Sequence, residues 1–126
     1  MALELYMVGL IVQDMGKSLE FYRQLGLAIP EDSNGQSQMV QVKMKSGVTL
    51  FLNTGGDNVQ ERVAATGNSN VVLEFYLTSR TEVEAKYQEL TKAGYQSFRA
   101  PYVTSFGMYF AMITDPDGNV VLLSAS

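Results

Sequence analysis

The same order of elements is written twice along this chain of 126 residues, once in each half. Each half reads strand, helix, strand, strand, strand. The helices echo one another: Tyr22-Arg23-Gln24-Leu25 leads to Gly26 in the first, and Tyr87-Gln88-Glu89-Leu90 to Gly94 in the second. An internal repeat constrains a fold more tightly than composition can. One unit of about 63 residues has too small a core to stand comfortably alone. Two units are expected to join into one curved, mixed eight-stranded sheet, with the helices on its outer face and a concave face left open. The chain is then α+β, a single domain over 1–126 with modules at about 1–54 and 70–126 and a connector at 55–69.

In the first half, Leu3 to Val12 is a nearly continuous apolar run, the pattern of a buried strand. Asp14 stands as N-cap to a helix whose apolar residues Met15, Leu19, Tyr22 and Leu25 recur at helical spacing, and Gly26 ends it. Phe21 and Tyr22 are read as packing residues of that helix. Beyond Leu27 the chain continues in the strand idiom. Ser33-Asn34-Gly35 is a turn, Met39 to Met44 alternates apolar with polar, and Ser46-Gly47 turns into Val48 to Leu52. Thr54 to Asn70 is rich in Gly, Asn and Asp, with a short helix expected at about Gln60 to Ala65.

The second half opens on a strand at Val71. Ser79 or Thr81 caps the next helix, with Glu82 or Glu84 completing a capping box. Val83, Tyr87 and Leu90 form its apolar stripe, and Gly94 stops it. Tyr95 to Thr104 is a strand, and the chain closes on a hairpin about Asp115-Pro116-Asp117-Gly118. Asp at the first position can accept from the backbone two residues on, Pro fixes φ at the second, and Gly at the fourth tolerates positive φ.

Several function classes are disfavoured at this stage. No apolar run approaches the roughly 20 residues of a membrane helix, and no signal peptide is visible. A net charge of −4 without a basic run argues against nucleic acid. Without cysteine there is neither a disulfide framework nor thiolate chemistry, and cytoplasmic residence is the default expectation.

Two phrases carry a family resemblance. The first is Val12-x-Asp14 leading through Ser18-x-x-Phe21-Tyr22 to Leu25-Gly26-Leu27. The second is Gly107-Met108-Tyr109-Phe110 leading into Asp115-Pro116-Asp117-Gly118-Asn119 and a final apolar strand. Together they resemble the glyoxalase, bleomycin-resistance and extradiol-dioxygenase superfamily, also called vicinal oxygen chelate, over essentially the whole chain. Its enzymes hold a divalent metal with His or Glu on the first and fifth strands and a carboxylate on the last. The glyoxalase pattern adds a Glu on the fourth. The resemblance sets those positions at Met7, Val72, Leu122 and Phe51, all apolar, in a chain with no histidine. A thioether is a poor ligand for hard catalytic ions, so neither a metal nor another cofactor is expected. Members without metal ligands resemble drug-sequestering proteins that bind flat aromatic compounds in two clefts at a homodimer interface, commonly with an aromatic residue where Phe106 precedes Gly107.

Strand periodicity then says which side chains face the concavity. Leu73, Phe75 and Leu77 are expected beneath the helix, with Val72, Glu74 and Tyr76 facing inward. On the first strand Val8, Leu10 and Val12 lie under the helix, with Leu5, Met7, Gly9 and Ile11 inward. Thr49, Phe51 and Leu122 face inward by the same alignment. The candidate binding residues are thus Met7, Phe51, Glu74, Tyr76, Tyr102, Phe106, Tyr109 and Leu122, with Met39 or Met44 beside them; plain core packing explains Met7 and Leu122 equally well. Glu74 needs a partner in an apolar setting: a cationic ligand, a backbone donor, or, as the simplest structural role, a salt bridge to Arg99 or water. Asn53 and Ser124 are weaker polar candidates.

The expected partners are a small hydrophobic or aromatic molecule and a second copy of the chain, since a curved sheet leaves edges and one face open. Three classes stay open: a metal-independent small-molecule binder, a glyoxalase-like lyase, isomerase or dioxygenase with a non-standard site, and a structural member with a filled cleft. The first accounts for most of the residues.

Overall fold

In the computed structural model, which describes residues 1–54 and 71–126, the first apolar run is a strand only over Met7–Ile11 (β1). Leu3, Leu5 and Tyr6 are more than 80% exposed. The expected start at Leu3 fails because β1 pairs in parallel with Thr49–Asn53 (β3) in five-residue register, Met7 opposite Thr49. Just before β3 the chain turns back at Gly47, φ 97°, so earlier residues have no ladder to join. Between them Asp14 caps the helix Met15–Leu25 (α1), its carboxylate accepting from Lys17 N. Gly26, φ 117°, ends α1, and Leu27 N donates to Tyr22 O. Phe21 and Tyr22 are fully buried and meet edge to face at 4.9 Å.

No strand forms between Gly26 and Met39. Pro30 O accepts from Ser33 N and Asn34 O from Ser37 N, so local turns take the backbone groups a ladder would need. Arg23 donates from Nη2 to Pro30 O and Ser33 O and ties these turns to α1. Met39–Lys43 (β2) then pairs antiparallel with β3, giving the order β1-β3-β2. Leu10, Val40, Val42, Leu50 and Leu52 are buried on one face of this sheet.

Val72–Tyr76 (β4), Ser97–Val103 (β5), Tyr109–Thr114 (β6) and Val120–Ala125 (β7) make a second sheet in the order β4-β7-β6-β5, with β4 and β7 parallel. The described residues therefore hold seven strands in two sheets, where the repeat suggested eight in one. The chain divides into two units, Met1–Gly67 and Asn68–Ser126, each described by itself. The short helix expected at about 60–65 lies outside the described residues. Helix Arg80–Lys92 (α2) is capped by Ser79, whose hydroxyl accepts from Glu82 N. The Glu82 carboxylate reaches back to Thr78 N and Oγ1 rather than to Ser79.

Val83 and Leu90 of α2 are buried, as are Ala111, Ile113, Val121, Leu123 and Ala125, and Tyr87 hydroxyl meets Ser97 Oγ at 2.7 Å. Those strand residues share one face by register, Ala111 opposite Leu123 and Ile113 opposite Val121. The β6–β7 turn forms as its sequence predicts. Gly118 N donates to Asp115 O, and Asp115 Oδ1 accepts from Asp117 N and Asn119 N. Oδ2 accepts from Asn119 Nδ2, so a nearly buried carboxylate is fully engaged by its own turn.

Candidate functional site

The face of the second sheet turned away from α2 carries most of the chemically distinctive side chains. Register orders them in cross-strand rows. One row reads Glu74, Leu122, Met112, Arg99 from the β4 edge to the β5 edge. The next reads Tyr76, Ser124, Phe110, Tyr102, and a third begins Val72, Val120, Thr114. Val72, Glu74 and Tyr76 thus share the face that alternation assigned to them, and Leu122 lies on it at the middle of the sheet, 6% exposed.

The aromatic residues form a connected group. Tyr102 meets Phe110 edge to face at 6.0 Å, and Phe106 meets Phe110 at 5.7 Å with planes at 74°. Phe106 projects from the turn joining β5 and β6 and is 70% exposed. That turn is tightly made: Thr104 N donates to Met108 O, Met108 N to Thr104 Oγ1, and Gly107 N to Thr104 O, with Gly107 at φ 89°. Arg80 at the start of α2 donates from Nη2 to Gly107 O and from Nε to Ser126 O, pinning the turn to the chain end. Phe106 is therefore an exposed ring on a fixed mount.

Arg99 and Tyr102 are three residues apart and would point to opposite faces of a regular strand. Register shifts on both sides of the Arg99–Met112 pair, between Ser97 and Arg99 and between Arg99 and Tyr102, bring them onto one face. The Arg99 guanidinium lies 3.5 Å above the Tyr102 ring, a close cation–π contact. Bulges re-aim side chains in this way, and Pro101 is tolerated because β5 is an edge strand.

Two expectations are corrected here. Glu74 and Arg99 form no ion pair: they stand on the two edge strands, three strand spacings or roughly 14 Å apart. Glu74 Oε2 instead accepts from the fully buried Ser124 Oγ at 2.8 Å. Tyr109 does not join the aromatic group. It pairs with Ala125 on the helix-facing side, donates to Glu84 Oε1 at 2.5 Å, and has Arg80 over its ring at 5.3 Å. The hydrogen bond to the Glu84 carboxylate raises the Tyr109 phenol above its ordinary range. Desolvation and the Glu84 charge add to this, and Arg80 opposes it.

Phe110 and Met112, absent from the candidate residues, take the places on β6 that Tyr109 was expected to share. The signal was present in the hairpin. Residues equidistant from the Asp115–Gly118 turn face the same way, so an inward Leu122 demands an inward Met112 and Phe110, and an outward Tyr109.

In the first unit, Met7, Thr49 and Lys43 form one row on the face opposite the buried one, Gly9, Phe51 and Gln41 the next, and Ile11, Asn53 and Met39 the third. Phe51 lies across β1 at Gly9. A Cβ built on Gly9 would fall among Phe51 Cζ, Cε2 and Cε1, so only glycine leaves room for the ring in this position. Met39 is on this face and half exposed, whereas Met44 lies past the end of β2 in the turn to β3.

The donor set does not fit a divalent metal. Met7, Phe51, Val72 and Leu122 offer at best one thioether, and Glu74 has Leu122 as its strand neighbour. Among the described residues no three of His, Cys, Asp and Glu group so as to hold an ion. Among the described residues no helix is long and apolar enough to cross a membrane, which does not bear on membrane β-barrels.

A family model described as Glyoxalase/Bleomycin resistance protein/Dioxygenase superfamily matches residues 5–123. Among solved structures, a glyoxalase-related enzyme from Fulvimarina pelagi is 25% identical with a TM-score of 0.80, covering 98% of this chain and 88% of its own. The hypothetical protein SA1046 from S. aureus is 24% identical with a TM-score of 0.77, covering 99% and 95%. Lactoylglutathione lyase from Agrobacterium tumefaciens is 21% identical with a TM-score of 0.69, covering 98% and 93%. The last two likenesses bear on the fold alone. No curated protein matches the chain.

Proposed function

The chain belongs to the glyoxalase/bleomycin resistance protein/dioxygenase superfamily, and from that footing we propose that it binds a small, flat aromatic molecule without a metal ion. The proposed surface is the face of the second sheet turned away from α2. The observation that carries the reading is the connected group Phe106–Phe110–Tyr102 with Arg99 on its outer ring, presented by a hairpin whose turn is fixed by Arg80. Offset and edge-to-face contacts with a ligand ring are worth about 0.5–1.5 kcal/mol each beyond burial. Leu122 and Met112 supply an apolar, adaptable floor beside them. Met7 and Phe51 are proposed as ligand contacts of the first unit's own sheet, on the face opposite its buried one.

Sequestration of an aromatic toxin or drug in the cytoplasm is the role this chemistry fits best, because binding of that kind needs no catalytic group. We further propose a homodimer. Exposed Val72 and Tyr76 on the edge strand β4 and the exposed Leu3, Leu5 and Tyr6 support it, since apolar groups of this size are usually covered. Sedimentation equilibrium at micromolar concentration should give twice 13.9 kDa; a single species at 13.9 kDa would rule the dimer out. The binding reading is tested by tyrosine emission, since the chain has seven tyrosines and no tryptophan. A flat aromatic compound should quench it saturably, and Phe106→Ala should weaken the affinity about tenfold. Unchanged affinity in that variant would remove Phe106 from the site.

A further inference from the structure

The proposed binding face is polar at its two ends and apolar between them. Glu74 stands at the β4 edge and Arg99 at the β5 edge of one row, with Leu122 and Met112 between. Both charged residues are exposed, and both are held. Ser124 Oγ, itself fully buried, donates to Glu74 Oε2, and the Tyr102 ring fixes the Arg99 guanidinium at 3.5 Å. Among the described residues neither has an ion-pair partner, as the sheet keeps them roughly 14 Å apart. Two register shifts in β5 bring Arg99 onto this face when a regular strand would have turned it away. Irregularities of that sort re-aim a side chain at some disruption to the ladder.

We propose that the face selects an elongated aromatic molecule of mixed charge, with an anionic group at Arg99 and a cationic group at Glu74. This inference rests on the aromatic-binding reading of the same surface and adds its charge requirement. A planar guanidinium offers a fork of N–H donors that matches a carboxylate, sulfonate or phosphate edge-on while its face stays on Tyr102. The Glu74 carboxylate offers an acceptor to an ammonium or amidinium group. The ligand's rings lie over Leu122 and Met112, so its two charges are carried at opposite ends of a rigid, apolar body.

Four rigid biphenyl probes test this by isothermal titration calorimetry on the intact chain: 4′-(aminomethyl)biphenyl-4-carboxylate, biphenyl-4-carboxylate, 4-(aminomethyl)biphenyl and the neutral biphenyl-4-carboxamide. The probe with both charges should bind most tightly, and loss of either charge should weaken binding about tenfold. Glu74→Gln should abolish the advantage of the amine and leave the carboxylate-only probe unaffected. Arg99→Gln should do the reverse. Equal binding of all four probes would overturn the charge requirement and leave the aromatic reading standing. Absence of binding by every probe would overturn both.

Discussion

Gly9 and Phe51 make a prediction whose sign depends on the background. Gly9 is not among the glycines at positive φ, so its backbone accepts an alanine. Replacing a strand glycine should by itself stabilise the protein by about 0.5–1 kcal/mol, because glycine has more freedom to lose on folding. In the native chain, however, the added methyl falls among the three distal atoms of the Phe51 ring. The ring must swing off β1 or the strands must part, and such overpacking costs about 1–3 kcal/mol. Gly9→Ala alone should therefore destabilise by roughly 1–2 kcal/mol net, lowering Tm by about 3–10 °C in a domain of this size. Measured against Phe51→Ala, the same substitution should stabilise by about 0.5–1 kcal/mol. Urea unfolding of the four chains closes the cycle, with an expected coupling of about 2 kcal/mol. Gly9→Ala shifting stability in the same direction in both backgrounds would refute the placement of the ring over Gly9.

Two further expectations concern the second unit. Asp115→Ala removes a buried carboxylate that accepts three hydrogen bonds from its turn and should cost about 2–4 kcal/mol in urea unfolding, whereas the exposed Pro116→Ala should cost under about 1 kcal/mol. A smaller loss for Asp115→Ala would mean that the turn tolerates its backbone donors unpaired. Tyr109 has a phenol raised above its ordinary 10.0 by the bond to Glu84, so the folded state favours the protonated form. That contribution is fully present below pH 10 and is lost as pH rises through the elevated value. Ultraviolet titration of phenolate should show one late-titrating tyrosine that disappears in Tyr109→Phe and moves back toward 10 in Glu84→Gln; an unshifted titration in Glu84→Gln would contradict it.

The caps of α1 and α2, the closing turn and the facing of β1, β3 and β4 were legible because each depends on a few neighbouring residues. Asp14, Ser79, Gly26 and Asp115 act within four positions of themselves, and period-two alternation fixes a strand's two faces. What escaped was pairing. The length of β1 is set by β3, far along the chain, and an apolar run cannot report where its partner stops. The absent strand after Gly26 turned on local hydrogen bonds about Pro30 and Asn34 that outcompete a ladder. The bulges that place Arg99 beside Tyr102 break the very periodicity from which its face would have been read. The supposed Glu74–Arg99 ion pair needed strand order to dismiss, since only the order β4-β7-β6-β5 separates them. The facing of Tyr109 was legible in the hairpin, whose register pairs it with Ala125 and so puts it on the face away from Leu122.

The proposal for this member of the superfamily is that it binds an aromatic ligand and no metal. Thermal unfolding of the intact chain, with zinc, nickel, cobalt or manganese in one series and 4′-(aminomethyl)biphenyl-4-carboxylate in the other, tests it most directly. Binding to the folded state adds RT ln(1 + [L]/Kd), about 2.7 kcal/mol at a hundredfold excess, which is roughly 10 °C for a domain of this size. The aromatic probe should give that shift, Phe106→Ala should reduce it, and none of the four metals should give any. A stoichiometric stabilisation by a divalent metal, with none by the aromatic probe, would contradict it.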